Sequence, residues 1–304
     1  AGARARLTAA GGMFGRSSRA SVPVVPEGPQ LDLSGPRLRR AFEALVQGAD
    51  DHGGVERYVY ALKLKQTLFR EALLSPDGQR ARQIEAAAFM PLCAFLPTVR
   101  RRIVPWLAEP LFSGLRNAIA TLLEPTDDRS GTDTRIRAFC AGFPQDDAHR
   151  WTRDLAAELL HNSDPERYPL MTRWVWDAGV NTGVLREIWH APDVDHVTIA
   201  ARDDYPTLLV LRAELSQFLS GNGVFRDVLQ FVDMLCAQVY AGYIGEQGGS
   251  YLRTDFTAPE DPMLHSRRLL GLDGIRPGTG RLRIKTIDGE ALSVADSSSP
   301  PVSG

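Results

Sequence analysis

Residues 146–190 constrain the fold most strongly, because they combine helical apolar spacing with four of the chain's five tryptophans and three of its six histidines. Trp151, Leu155 and Leu159 recur every four residues, which places them on one face of a helix. Asp146 or Asp147 can cap this helix, which is expected to end near residue 161. We expect the segment to lie at the centre of a helical core.

A second helix is expected directly after the first. Ser163-Asp164-Pro165-Glu166 matches the capping-box pattern, in which the serine bonds an amide of the first turn and the glutamate bonds back. This pattern predicts a helix that begins at Ser163. Its buried face is expected to carry Tyr168, Met171 and Val175.

The rest of the chain is also dominated by helical spacing. Apolar periodicity and turn residues predict further helices over 36–47, 55–74, 79–95, 111–123, 204–220 and 223–244. The apolar face of the last of these helices is expected to include Phe225. A short strand is expected over 193–200. Asp288-Gly289 lies between two β-like runs and predicts a hairpin. The expected fold is mostly α, an irregular multi-helix bundle with a small C-terminal β-hairpin.

Composition sets the expected domain limits and compartment. Apolar residues at 43% and charged residues at 24% are ordinary for a globular protein. We expect one helical domain over 31–294, with a disordered basic tail over 1–30 and a disordered tail over 295–304. Three widely spaced cysteines without a CxxC pattern argue against a disulfide framework or a zinc site and favour the cytoplasm. Apolar runs fall short of the roughly 20 residues that span a membrane, so no span is expected.

Two Glu-x-x-His pairs, Glu158–His161 and Glu187–His190, are candidate metal ligands. This spacing puts a carboxylate and an imidazole on one helix face, and ferritin-like di-iron proteins use two such pairs. Only 29 positions separate the two pairs here, which leaves no room for the intervening long helix of that fold. Polar residues on helix surfaces are the preferred interpretation. A metal-dependent enzyme is the first alternative function, and the cofactor is left open.

A cluster of aromatic and charged residues is a candidate protein-binding surface. Two tryptophans that are two positions apart point in different directions on a helix, so at least one leaves the buried stripe. An exposed tryptophan beside arginine is typical of an interface anchor, although a neighbouring helix could cover both sides. The candidate residues are Arg167, Arg173, Trp174, Trp176 and Asp177.

Nucleic-acid binding is the second alternative. Arg100-Arg101-Arg102 is the densest basic cluster in the chain, and residues 1–116 carry a net charge of +7 against −9 for residues 117–304. Gly179-Val180-Asn181 resembles the turn of helix-hairpin-helix DNA-repair glycosylases, but Asn181 replaces the second glycine. The surrounding segment is acidic, whereas phosphate binding requires a positive surface. The sequence therefore does not favour nucleic acid as a partner.

Motifs for nucleophilic catalysis and phosphate binding are missing: the sequence contains neither GxSxG nor GxxxxGK[ST]. The favoured interpretation is a cytoplasmic accessory or scaffolding protein. It is expected to bind another protein, or a second copy of itself, through helical surfaces.

Overall fold

The computed structural model describes residues 29–50, 53–249, 263–273, 282–285 and 291–294. Apart from residues 29 and 30, the tails predicted over 1–30 and 295–304 lie outside this part of the chain. Side chains at 195, 246–249, 282–285 and 291–294 also lie outside it. The domain limits therefore stay a prediction.

The described chain is mostly helical, which confirms the predicted class. Its α-helices are α1 Gly35–Asp50, α2 Val55–Leu73, α3 Arg80–Gln83, α4 Ala86–Cys93, α5 Leu111–Leu122, α6 Thr132–Ala141, α7 Trp151–Ser163, α8 Val184–Glu187, α9 Tyr205–Gly221, α10 Val228–Gly249 and α11 Leu264–Leu269. Three 3₁₀ helices cover Val104–Leu107, Asp147–His149 and Val194–His196.

Helix α7 lies at the centre of the core, as its apolar spacing predicts. Every residue of α7 except Arg153 is buried, and the helix packs against α2, α5 and α6. A helix surrounded on all sides also buries its polar residues, and buried polar groups are in most cases hydrogen-bonded. The buried polar side chains of α7 therefore make contacts that the spacing of its apolar residues does not predict.

Helix α10 forms the other long element of the core and contacts α1, α2, α8, α9 and α11. In the described part of the chain it is the only helix with the length and mean hydropathy, 1.2 over Val228–Gly245, of a membrane-spanning segment. Half of that window is buried inside the protein. The same composition suits a core helix, and α10 packs as one.

Two four-residue strands, β1 Leu282–Lys285 and β2 Ala291–Val294, pair antiparallel with Leu282 opposite Val294. The Asp288-Gly289 turn that the sequence predicts between them lies outside the described residues. The hairpin as a complete unit therefore stays a prediction.

The helix predicted to begin at Ser163 does not form. Ser163 is instead the last residue of α7, and its buried hydroxyl finds no hydrogen-bond partner among the described residues. Asp164 accepts a bond from the Arg167 amide (3.1 Å) and closes a single turn. Pro169 then ends any helical continuation, because proline lacks an amide donor and disfavours helical geometry in the residue before it.

Two further predictions need correction. The strand predicted over 193–200 is replaced by the 3₁₀ turn Val194–His196. The helix predicted over 79–95 divides into α3 and α4, because Ile84 and Glu85 adopt extended backbone angles between them.

Candidate functional site

A fully buried polar cluster joins α7 to α2. Lys65 Nζ lies 3.1 Å from Glu158 Oε2 and also donates to the Leu270 carbonyl at 3.1 Å. Asn162 Nδ2 donates to the same Glu158 oxygen at 2.9 Å. Side-chain exposure is 4% for Lys65 and 3% for Glu158. A buried charge pair of this kind needs its additional hydrogen bonds, since desolvation of both ions is costly.

One turn further along α7, a second buried pair reaches α10. His161 Nε2 lies 2.9 Å from Asp233 Oδ2, and its Nδ1 lies 2.9 Å from the Tyr168 carbonyl oxygen. Burial by itself lowers the pKa of His161. Asp233, the Tyr168 carbonyl and Glu158 outweigh that effect, so the pKa is raised above its ordinary value. Both ring nitrogens are therefore engaged, and the protonated form is favoured.

The structure does not bring the four predicted metal ligands together in one group. Glu158 is committed to Lys65 and His161 to Asp233. Glu187, whose backbone carbonyl accepts a bond from Arg37, lies on α8, and His190 is exposed beyond it. Within the described ranges, no three histidine, cysteine, aspartate or glutamate side chains form a group that could hold a metal ion. The two Glu-x-x-His spacings have separate structural contexts.

Neither Trp174 nor Trp176 is an exposed anchor. Trp174 is 6% exposed and Trp176 is 0% exposed, and Trp176 Nε1 donates to the Ala201 carbonyl at 3.1 Å. The segment that carries them is an irregular chain that packs inside the protein. Residues that are two positions apart can both be covered there, because no helix directs one of them outward.

The charged members of that predicted cluster have structural partners. Arg173 holds the buried Asp154 through its Nη2 (2.8 Å), and Asp177 pairs with Arg150 at 2.7 Å. Arg167 lies over the Tyr168 ring at 5.9 Å. Only part of the predicted cluster therefore meets at one surface, namely a groove that Arg173 and Asp177 help to line.

This groove has a volume of about 930 Å³. Its walls are formed by α6, the turn before α7, the irregular segment around Arg173 and the start of α9. Charged side chains make up about half of its lining, and the buried Ile136, Met171 and Leu208 form its apolar part, which we call the floor. The groove was not predicted from the sequence, because its residues lie on four separate segments of the chain. One of these segments, α6, was not itself predicted as a helix.

A second exposed feature lies in the loop between α9 and α10. Phe225 is 77% exposed, more than any other large apolar side chain in the described part of the chain. Lys63 on α2 pairs with Asp227 in this loop at 2.5 Å. The sequence did not predict that Phe225 is exposed, because its position in the apolar period assigned it to the buried stripe of α10.

The basic cluster at Arg100–Arg102 has structural contacts. Arg100 forms two bonds to Asp273 (3.0 and 2.9 Å), and Arg102 donates to the Ala148 carbonyl at 3.1 Å. Asn181 has φ of 53° and bonds Val197 and Ile199. Because an irregular segment precedes Asn181, the resemblance to a helix-hairpin-helix turn does not extend to the structure.

Comparisons with protein-family models, curated proteins and solved structures found no significant match.

Proposed function

We propose that this protein is a helical accessory or scaffolding protein that binds another protein, with the α9–α10 loop as a contact surface. The observation that supports this proposal is the 77% exposure of Phe225. Aromatic side chains at the centre of protein interfaces contribute a large share of binding energy. An apolar ring left in water on an ordered loop therefore has most to gain from a partner.

The order of the loop adds to the argument. Gly223 has φ of 88°, and Asp227 has φ of 55°, a conformation that residues other than glycine rarely adopt. The Val224 amide bonds the Leu219 carbonyl at 3.0 Å, and the Phe231 amide bonds the Asp227 carbonyl at 3.1 Å. A loop fixed in this way loses less conformational entropy on binding than a flexible one.

The charges beside Phe225 indicate the chemistry of the partner. Arg226 is exposed, and Lys63 is 49% exposed beside Asp227. Two cations and one anion therefore flank the ring. We expect the partner to present an apolar pocket that accepts the ring and is bordered by carboxylates.

The compartment and the C-terminus complete the proposal. Free thiols at Cys93, Cys140 and Cys236 support a reducing compartment, for which we propose the cytoplasm.

We retain the complete C-terminal β-hairpin as part of the proposed architecture. The proposal does not include metal-dependent catalysis, because Glu158 pairs with Lys65 and His161 pairs with Asp233.

Phe225→Ser tests the proposal, with Leu111→Ser as the matched control, because Leu111 is also an exposed apolar residue at 45%. Proteins captured from a lysate of the source organism are compared for the wild type and both variants, and the selected partner is then titrated against each purified protein. We expect Phe225→Ser to weaken binding at least about tenfold and Leu111→Ser to leave it unchanged.

Light scattering of the same three proteins separates partner binding from self-association. A mass that corresponds to a dimer in the wild type and to a monomer only in Phe225→Ser would replace the proposed partner with a second copy of this chain. A set of captured proteins that does not depend on Phe225 would overturn the proposal.

A further inference from the structure

The groove between α6 and α9 is a second surface, distinct from the Phe225 loop, and its arginines are held in fixed positions. Arg173 is fixed by Asp154, which is 1% exposed. Its Nε and Nη2 lie 3.2 and 2.8 Å from Asp154 Oδ2, and its amide bonds Asp154 Oδ1 at 2.9 Å. This buried carboxylate orients the guanidinium while 26% of the arginine side chain stays exposed.

Two further arginines of the groove also pair with aspartates, one of which is buried and one partly exposed. Arg150 pairs with the buried Asp177 and is 40% exposed. Arg153 pairs with Asp203 at 3.0 Å, donates to its carbonyl at 2.7 Å and is 25% exposed. A guanidinium has five N–H donors, so one carboxylate partner leaves donors for a ligand. The groove thus presents oriented donors at three positions.

Acidic groups lie beside these donors. Five arginines and six aspartates line the groove, and Asp154 lies behind Arg173, which gives a formal charge of −2 when histidine is counted as neutral. Asp203 is 37% exposed and Asp146 is 56% exposed. A polyanion such as nucleic acid is disfavoured by this balance. An occupant that carries both signs of charge can satisfy the arginines and the aspartates together.

One wall of the groove is long enough to accommodate a few residues of an extended polypeptide. Asp133, Ile136, Arg137 and Cys140 line it from successive turns of α6. Their seven-residue separation corresponds to about 10 Å along the helix. An extended polypeptide advances roughly 3.3 Å per residue, so this wall alone matches three to four residues. Apolar side chains on the floor can receive an intervening aliphatic residue.

We propose that this groove binds an extended polypeptide segment that carries both acidic and basic side chains. The occupant's carboxylates contact the paired Arg150, Arg153 and Arg173 and also the exposed Arg137 and Arg202. Its cationic groups contact Asp203 and Asp146. Such a site gives the proposed scaffold a second, independent point of attachment. The groove site does not require Phe225.

A displayed library of random dodecapeptides tests this inference on the 304-residue chain. Selection is performed on the wild type, on Arg137→Glu/Arg202→Glu in the groove, and on Arg39→Glu/Arg101→Glu as a control with the same change of charge. Arg137 and Arg202 are exposed, as are Arg39 and Arg101, so melting temperatures should verify that all three proteins fold. The most enriched sequence is synthesised, labelled and titrated by fluorescence anisotropy.

We expect enriched peptides to contain both acidic and basic residues. We expect the synthetic peptide to bind the groove variant at least about tenfold more weakly, with normal binding to the control variant and to Phe225→Ser. Selection of peptides of a single charge sign, absence of any enriched sequence, or equal binding to the groove variant would each overturn the inference. Because Phe225→Ser is measured in parallel, failure of the loop proposal and failure of the groove proposal give different results.

Discussion

Lys65 Nζ and Glu158 Oε2 form a 3.1 Å ion pair in the interior, where α2 crosses the central helix α7. On the same helix, two residues earlier, Lys63 pairs with Asp227 at the surface. The two lysines therefore differ mainly in burial, with side-chain exposures of 4% and 49%. They provide an internal comparison of what a buried and an exposed pair contribute.

Lys65→Met should destabilise the protein by about 3–5 kcal/mol, because it leaves the Glu158 carboxylate buried without its cation. Lys63→Met should cost at most about 1 kcal/mol, as is usual for surface pairs. Urea unfolding followed by circular dichroism measures both. The double variant Lys65→Met/Glu158→Leu should recover much of the loss, since it removes both buried charges. Equal effects of the two single substitutions would contradict the buried geometry.

The pair between His161 and Asp233 should make stability depend on pH. The native pKa of His161 is raised, by Asp233 and the Tyr168 carbonyl against the effect of burial, relative to about 6.5 in the unfolded chain. The native state therefore holds the proton more tightly. The stability that the protonated His161 adds to the native state is fully present below about pH 6.5, and it is lost as pH rises through the native pKa.

His161→Gln provides the control for this pH dependence, because glutamine can still donate to Asp233 but does not titrate. The groups that face His161 are Asp233 from α10, Glu158 on α7 itself and the Tyr168 carbonyl. We expect the difference in unfolding free energy between wild type and variant to shrink from pH 6 to pH 9. A constant difference across that range would show that His161 does not exchange its proton on unfolding.

The sequence predicted most of the long helices but not the buried ion pairs between them. Periodicity located α2 and α10 because one face of each helix is apolar. It could not show that Glu158 and His161 point inward, since their partners Lys65 and Asp233 lie 93 and 72 positions away in the chain. Local spacing suggested a metal site, whereas distant residues supply the partners.

The capping box at Ser163 failed for a related reason. Local pattern reasoning gives weight to Ser163 and Glu166, but Pro169 follows within one turn and α7 extends through Ser163. The groove could not be predicted from the sequence, because Asp133, Arg153 and Asp203 come together only through tertiary packing. Phe225 was assigned to a buried stripe because α10 was expected to begin five residues too early.

Trp176→Ala should destabilise the fold by about 3–5 kcal/mol, because the side chain is fully buried and its Nε1 bonds the Ala201 carbonyl. Phe225→Ser should change stability by no more than about 0.5 kcal/mol, since its ring is mostly in water. Thermal unfolding distinguishes the two. A small effect of Trp176→Ala would restore Trp176 as a candidate surface anchor.

Replacement of Gly271 and of Gly114 by alanine should change the stability of the protein in opposite directions. Gly271 has φ of 72°, and a Cβ there would overlap the Phe95 carbonyl oxygen, so the backbone near α11 would have to move. We expect Gly271→Ala to cost about 2 kcal/mol or more. Gly114 lies exposed inside α5 with no atom near its absent Cβ, so Gly114→Ala should stabilise by about 0.5–1 kcal/mol. Opposite shifts of the denaturation midpoint would support the close approach of residue 271 to Phe95, and a neutral Gly271→Ala would contradict it.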